Sequence, residues 1–105
     1  MPLTGDEAEE FDLATAEEWC ANYRTANPSG IKAHFFGYRL ILRILGQRDC
    51  VGMRMYYAMD NDDVQWLILV GVKADGTDMT DGIIGETSLP CPQMCDTTST
   101  LYDNT

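Results

Sequence analysis

Two adjacent stretches constrain this chain more than any others. Val51, Met53, Met55, Tyr57 and Met59 alternate with Gly52, Arg54, Tyr56 and Ala58, the two-residue period of a strand whose side chains leave on opposite faces. Asp60-Asn61-Asp62-Asp63 follows, residue types that bond their own backbone and tolerate left-handed conformations, so the chain turns there. Val64 to Val72 is nearly apolar on both faces, which predicts a second, central strand. Together they predict an antiparallel hairpin with strands about 51–59 and 64–72.

Helices are expected before it. Thr15-Ala16-Glu17-Glu18 matches a capping box, with the Thr15 hydroxyl accepting from the Glu18 amide and Glu18 reaching back. Ala16, Trp19, Cys20 and Tyr23 then line one helical stripe, and Asn27-Pro28-Ser29-Gly30 stops the helix. Residues 31–36 read as extended, and Gly37 as the N-cap of a helix over Tyr38–Gln47. Tyr38, Leu40, Leu42 and Ile44 also alternate with their neighbours. Leu and Arg dominate there, however, and both favour helix. Asp75-Gly76 marks another turn, Ile83-Ile84 a short strand or a docked pair, and the chain beyond Leu89 turn-like, then polar, structure.

A chain of 105 residues and 11.7 kDa holds one domain. The expected fold is therefore a single α+β domain over residues 13–95, with two helices packed on one face of a small antiparallel sheet centred on the hairpin. A flexible acidic lead-in (1–12) and a polar tail (96–105) flank it. Met53, Met55 and Met59 share a strand face with Val51 and Tyr57, read as irregular core filling against the helices.

Charge narrows the functional classes. The net charge of −10 and the pI near 4.2 exclude general nucleic-acid binding. The longest mostly apolar run, Val64 to Val72, is far short of the ~20 residues that span a bilayer as a helix, so no membrane partner is expected. The N-terminus shows neither a basic n-region nor an apolar h-region, which sets a cytoplasmic expectation. The charges are segregated: residues 24–54 carry six bases against the single acid Asp49, and the flanking regions are acidic. The plain reading is acidic ends that solvate the protein and pair loosely with the middle. The sharper one is a basic face for an anionic partner, steered by local field. Phe35, Phe36, Arg39 and Arg43 form the candidate interaction patch, aromatics beside guanidiniums one turn apart.

Sequence signatures of catalysis are sparse. His34 is the sole histidine, so any Ser/His or Cys/His pair must use it. Flanked by Ala33 and Phe35, it reads more simply as a partly buried side chain bonded to backbone. No nucleophile elbow, His-Glu-x-x-His, Walker loop or dinucleotide fingerprint occurs. Cys20 lies on the first helix's apolar stripe and reads as a core residue. Cys91 and Cys95 have three residues between them, within the spacing of zinc hooks; with Cys50 and His34 they make a Cys₃His set for zinc, the one cofactor considered. Free thiols, or a local Cys91–Cys95 disulfide that a reducing cytosol would disfavour, fit the same spacing. The Asp60–Asp63 and Asp75–Asp81 clusters do not follow the EF-hand order.

Ala33-His34-Phe35-Phe36, Cys50 through Tyr57, Leu67 through Val72 with Ala74 through Asp78, and Leu89 through Cys95 resemble a group of small hypothetical proteins from Bacteroidota, over roughly residues 13–95. That group has no assigned activity, so the resemblance implies the order of elements and no mechanism. The expected function is a non-catalytic binding or interaction module for a protein or small anionic partner, without a cofactor. The alternative is a small zinc-binding domain using Cys50, Cys91, Cys95 and His34.

Overall fold

The computed structural model describes residues 2–86 and 88–103. The chain forms two compact units, Met1–Glu7 with Phe36–Ser88, and Ala8–Phe35 with Leu89–Thr105. They hold two helices and antiparallel strands, the α+β class predicted by the sequence. The strands divide between a three-stranded sheet and a two-stranded ribbon.

The first unit is built on the hairpin. Strand β2 (Cys50–Met59) pairs antiparallel with β3 (Gln65–Lys73), from Cys50 opposite Lys73 to Met59 opposite Gln65, with one irregularity between Cys50 and Gly52. A short β4 (Ile84–Gly85) pairs with the other edge of β3, so β3 is central. That position explains its two apolar faces. Leu69 and Val70 point to opposite sides of the sheet, and both are buried, as is Val72. Beyond β3 the Asp75-Gly76 turn forms as predicted, with Gly76 at φ +90°, a conformation that favours a residue without a Cβ. Lys73 N–H donates to Thr77 O across it at 3.0 Å.

Helix α2 (Tyr38–Leu45) starts at Gly37, which offers no side-chain cap, and packs against all three strands. Ile44, 0% exposed, is its anchor; Leu40 and Ile41 are half-buried beside it. Gly85 permits the close approach of β4, since a Cβ there would meet Leu40 Cδ2 at 2.6 Å. Gln47, just past the helix, fixes this corner. Its amide nitrogen donates to Ile44 O at 2.9 Å, one of the carbonyls a helix end leaves without an internal partner, and its Oε1 accepts from Ile83 N–H at 2.9 Å.

The methionine face departs from expectation. Met55 and Met59 are exposed, and Tyr57 is 95% exposed. Length explains it. Eight helical residues reach about 12 Å, whereas the ten residues of β2 extend about 33 Å. Among the described residues α2 is the only helix in this unit, and the far half of β2 leaves Met55, Tyr56, Tyr57 and Met59 exposed.

The second unit contains helix α1 (Leu13–Ala26), β1 (Ala33–Phe35) and β5 (Leu89–Cys91). The N-cap of α1 is Asp12, whose carboxylate accepts from Thr15 N–H at 2.7 Å; the predicted cap, Thr15, lies one turn inside the helix. Asp and Thr both suit the position, and the earlier one won because Leu13 and Ala14 extend the helix without strain. The predicted stripe is only partly covered: Trp19 and Tyr23 remain exposed, with Trp19 edge-on to Phe11 at 4.6 Å between ring centroids. Strands β1 and β5 pair antiparallel, Ala33 opposite Cys91 and Phe35 opposite Leu89. This ribbon was not legible as a strand pair. The segment returning after it is tied by Arg24 Nη1 donating to Leu101 O at 2.8 Å and by Lys32 Nζ over the Tyr102 ring at 4.2 Å. Among the described residues, no helix is long and apolar enough to cross a membrane.

Candidate functional site

The outward side of α2 combines charge with apolar surface. Arg39 and Arg43, four residues apart, lie on one exposed row; Tyr38 and Leu42, also four apart, lie on the adjacent row. Tyr38 and Leu42 are 68% and 61% exposed. Neither arginine makes an ion pair among the described residues, unlike Arg54, which pairs with Asp78. Phe36, half-buried, precedes the Gly37 cap in the same unit, whereas Phe35 is exposed on β1 of the other. Three of the four predicted patch residues thus belong to one unit. Tyr38 and Leu42 were missed: the sequence groups them with Ile41 and Leu45 on one apolar helix face, whereas the structure turns Ile44, with half-buried Leu40 and Ile41, inward and leaves Tyr38 and Leu42 exposed.

The four candidate zinc ligands fall differently. Cys91 and Cys95 are joined in a disulfide with their Cα atoms 4.9 Å apart. Zinc binds thiolates, so this pair can serve as ligands only after reduction. His34, on β1, lies opposite Pro90 in the ribbon, next to the Ala33–Cys91 pair. Partial burial lowers its pKa and favours the neutral ring. Cys50 belongs to the other unit, at the start of β2, where its thiol donates to Gly52 O at 3.1 Å. Among the described residues no group of three His, Cys, Asp or Glu side chains is placed to hold a metal ion.

The aspartate clusters act on the backbone. Asp60 Oδ1 accepts from Asp62 N–H at 2.8 Å and Val64 N–H at 3.0 Å, while Oδ2 accepts from the Trp66 indole at 2.9 Å. One carboxylate therefore organises the whole hairpin tip. Asp75 Oδ1 accepts from Thr77 N–H at 2.9 Å and shapes the next turn. Asp78 receives both the Arg54 guanidinium and the Tyr56 hydroxyl, which ties β2 to the strand-end loop.

Hydrogen bonds from the Trp66 indole and the Val64 and Asp62 amides hold the Asp60 pKa below the ordinary aspartate value. A carboxylate whose folded pKa is depressed contributes stability that is complete above its unfolded pKa, near 3.9, and is lost as pH falls through the lower folded value. The indole N–H resonance of Trp66 is accordingly expected to shift upon acidification with a midpoint below about 3.9. A midpoint at or above that value would show that the carboxylate gains nothing from these donors.

Comparison of the chain with protein-family models, curated proteins and solved structures finds no match.

Proposed function

We propose that this protein is a non-catalytic binding module and that the outer face of α2 is its contact surface for an acidic protein segment. The observation supporting this is the adjacency of two unpaired guanidiniums, Arg39 and Arg43, to the exposed side chains of Tyr38 and Leu42. In a chain with seventeen acidic residues, partners for these arginines are abundant, yet none is recruited among the described residues. Their field stays open to carboxylates from outside, which guanidinium binds through paired hydrogen bonds. Tyr and Leu beside them supply apolar contact of the kind that forms the centre of protein interfaces.

The test is a fluorescence-anisotropy titration with a labelled peptide carrying glutamates and leucines at helical spacing. The wild-type chain is expected to bind with an affinity that falls as salt rises. The Arg39→Glu/Arg43→Glu variant should bind at least 100-fold more weakly, about 2.7 kcal/mol, while melting at nearly the wild-type temperature because both positions are exposed. Equal binding by wild type and variant overturns the assignment. Binding of a small inorganic polyanion as tight as that of the peptide overturns the protein-segment reading in favour of an anion site.

A further inference from the structure

The start of β2 departs from simple alternation. Cys50 and Met53 are three residues apart, so an unbroken strand would send their side chains to opposite faces. The irregularity between Cys50 and Gly52 resets the register. Cys50 lies opposite Lys73 and Met53 opposite Gly71, two residues of β3 that share a face. Both sulfur-bearing side chains therefore leave on the side of Gly71, where β3 itself carries no side chain.

A third sulfur reaches the same place from the loop between β3 and β4. A Cβ on Gly71 would meet Cys50 Sγ at 3.0 Å and Met79 Sδ at 3.1 Å. The two sulfurs flank one point, and the side chain that would part them is the one glycine lacks. Residues directly opposite in a ladder hold their Cβ positions about 5 Å apart, which puts the Met53 thioether within reach of that point. Backbone bonds fix the other two: Cys50 N–H donates to Gln47 O at 3.1 Å, and Met79 N–H donates to Gly71 O at 2.8 Å. Gln47 walls one side, its Nε2 2.8 Å from the same Cβ position, with its amide already committed to Ile44 O and Ile83 N–H. Cys50, Met53 and Met79 are all half-buried, sheltered from water without being sealed.

We propose that Cys50, Met53 and Met79 form a site for one soft monovalent metal ion, Cu(I). A thiolate with thioethers is the donor set that selects Cu(I); zinc takes thiolate, imidazole or carboxylate, and calcium and magnesium take oxygen. The site needs neither His34 nor the Cys91–Cys95 pair, since all three donors belong to the first unit. Binding exchanges the thiol proton, now donated to Gly52 O, for the metal. The Cys50 S–H bond breaks, an S–Cu bond forms, the proton goes to solvent, and the copper remains Cu(I).

The test uses the full-length chain with its disulfide intact, titrated anaerobically with Cu(I) in ascorbate against bicinchoninate, a coloured Cu(I) chelator. The wild type should withdraw one Cu(I) per chain. Met53→Leu/Met79→Leu keeps the packing volume and removes both thioethers, and it should weaken binding roughly 100-fold. Cys50→Ser should weaken it further, whereas Cys20→Ser, which alters the other free thiol, should leave it unchanged. X-ray absorption of the loaded wild type depends on no variant and should show sulfur alone around the metal. A wild-type chain that leaves the copper with the chelator overturns the proposal. So does an unchanged affinity in the double leucine variant, which would mean that a thiol alone does the binding. Copper lost on Cys20→Ser, nitrogen or oxygen around the metal, or zinc displacing Cu(I) at equal concentration overturns it as well.

Discussion

Truncating Leu69 to alanine is expected to lower the unfolding free energy of this protein by about 3–5 kcal/mol. Leu69 is 1% exposed on the central strand and sits between its ladder partners Met55 on β2 and Gly85 on β4. Cutting its side chain removes buried methyl groups and leaves a void that this tightly held backbone cannot close, since a Cβ on Gly85 would already stand 3.4 Å from Leu69 Cβ. The change is a large share of the roughly 5–15 kcal/mol that holds a typical domain together. Leu42→Ala provides the contrast. The same residue type, 61% exposed on α2, should change stability by less than about 0.5 kcal/mol. Urea unfolding of both variants checks the pair; a loss below about 1 kcal/mol for Leu69→Ala would show that the core is centred elsewhere.

Opening the Cys91–Cys95 disulfide should cost the second unit about 2 kcal/mol, the loop-closure entropy for so short a ring. The effect is local. Cys91 is the one buried residue of that unit among those described, and its carbonyl accepts from Lys32 N–H where the ribbon of β1 and β5 begins. Reduction and alkylation should accelerate amide exchange at Lys32 and along β1 while the amides shared by β2 and β3 keep their protection. Unchanged protection at Lys32 would mean that the cross-strand pairing, without the sulfur link, already sets the order of this unit. Cells impose the same choice through redox poise: an oxidising compartment keeps the link, and a reducing one releases two thiols beside His34.

What could be read from the residues follows from how local each signal is. The hairpin was legible because strand period, turn chemistry and the apolar second strand all lie within neighbouring residues, and each points to the same pairing. The helix over 38–45 was legible through the composition of its segment, and the Gly37 start with it. The ribbon of β1 and β5 was not, since three-residue strands show no periodicity and their partners are far apart in the chain. The same reason hid Gln47, whose importance rests on a bond to the distant Ile83. Of the candidate site, the Arg39/Arg43 pair could be read from spacing alone. The exposure of Tyr57 could not, because it depends on how little of the sheet an eight-residue helix can cover, nor could that of Tyr38 and Leu42, which depends on which side of α2 meets the sheet. The cysteines show the limit of spacing as evidence: three intervening residues suit a zinc hook and a disulfide equally, and the structure takes the second.

The path of the chain through its two units sets an order of events at the ribosome. Residues 36–88 hold the hairpin, α2 and β4, with all their pairing partners inside one continuous stretch. The second unit opens with α1 and β1, is interrupted by that whole stretch, and is completed only when β5 arrives. During synthesis the hairpin sheet has every contact it needs before β5 leaves the exit tunnel, whereas β1 waits for a strand not yet made. Contacts between nearby residues form fastest, and those closing long loops come later. A released chain ending at Ser88 would therefore hold the three-stranded sheet complete, preceded by a β1 whose partner β5 is missing. The wait for β5 is when Phe35 and its neighbours are most open to chaperones.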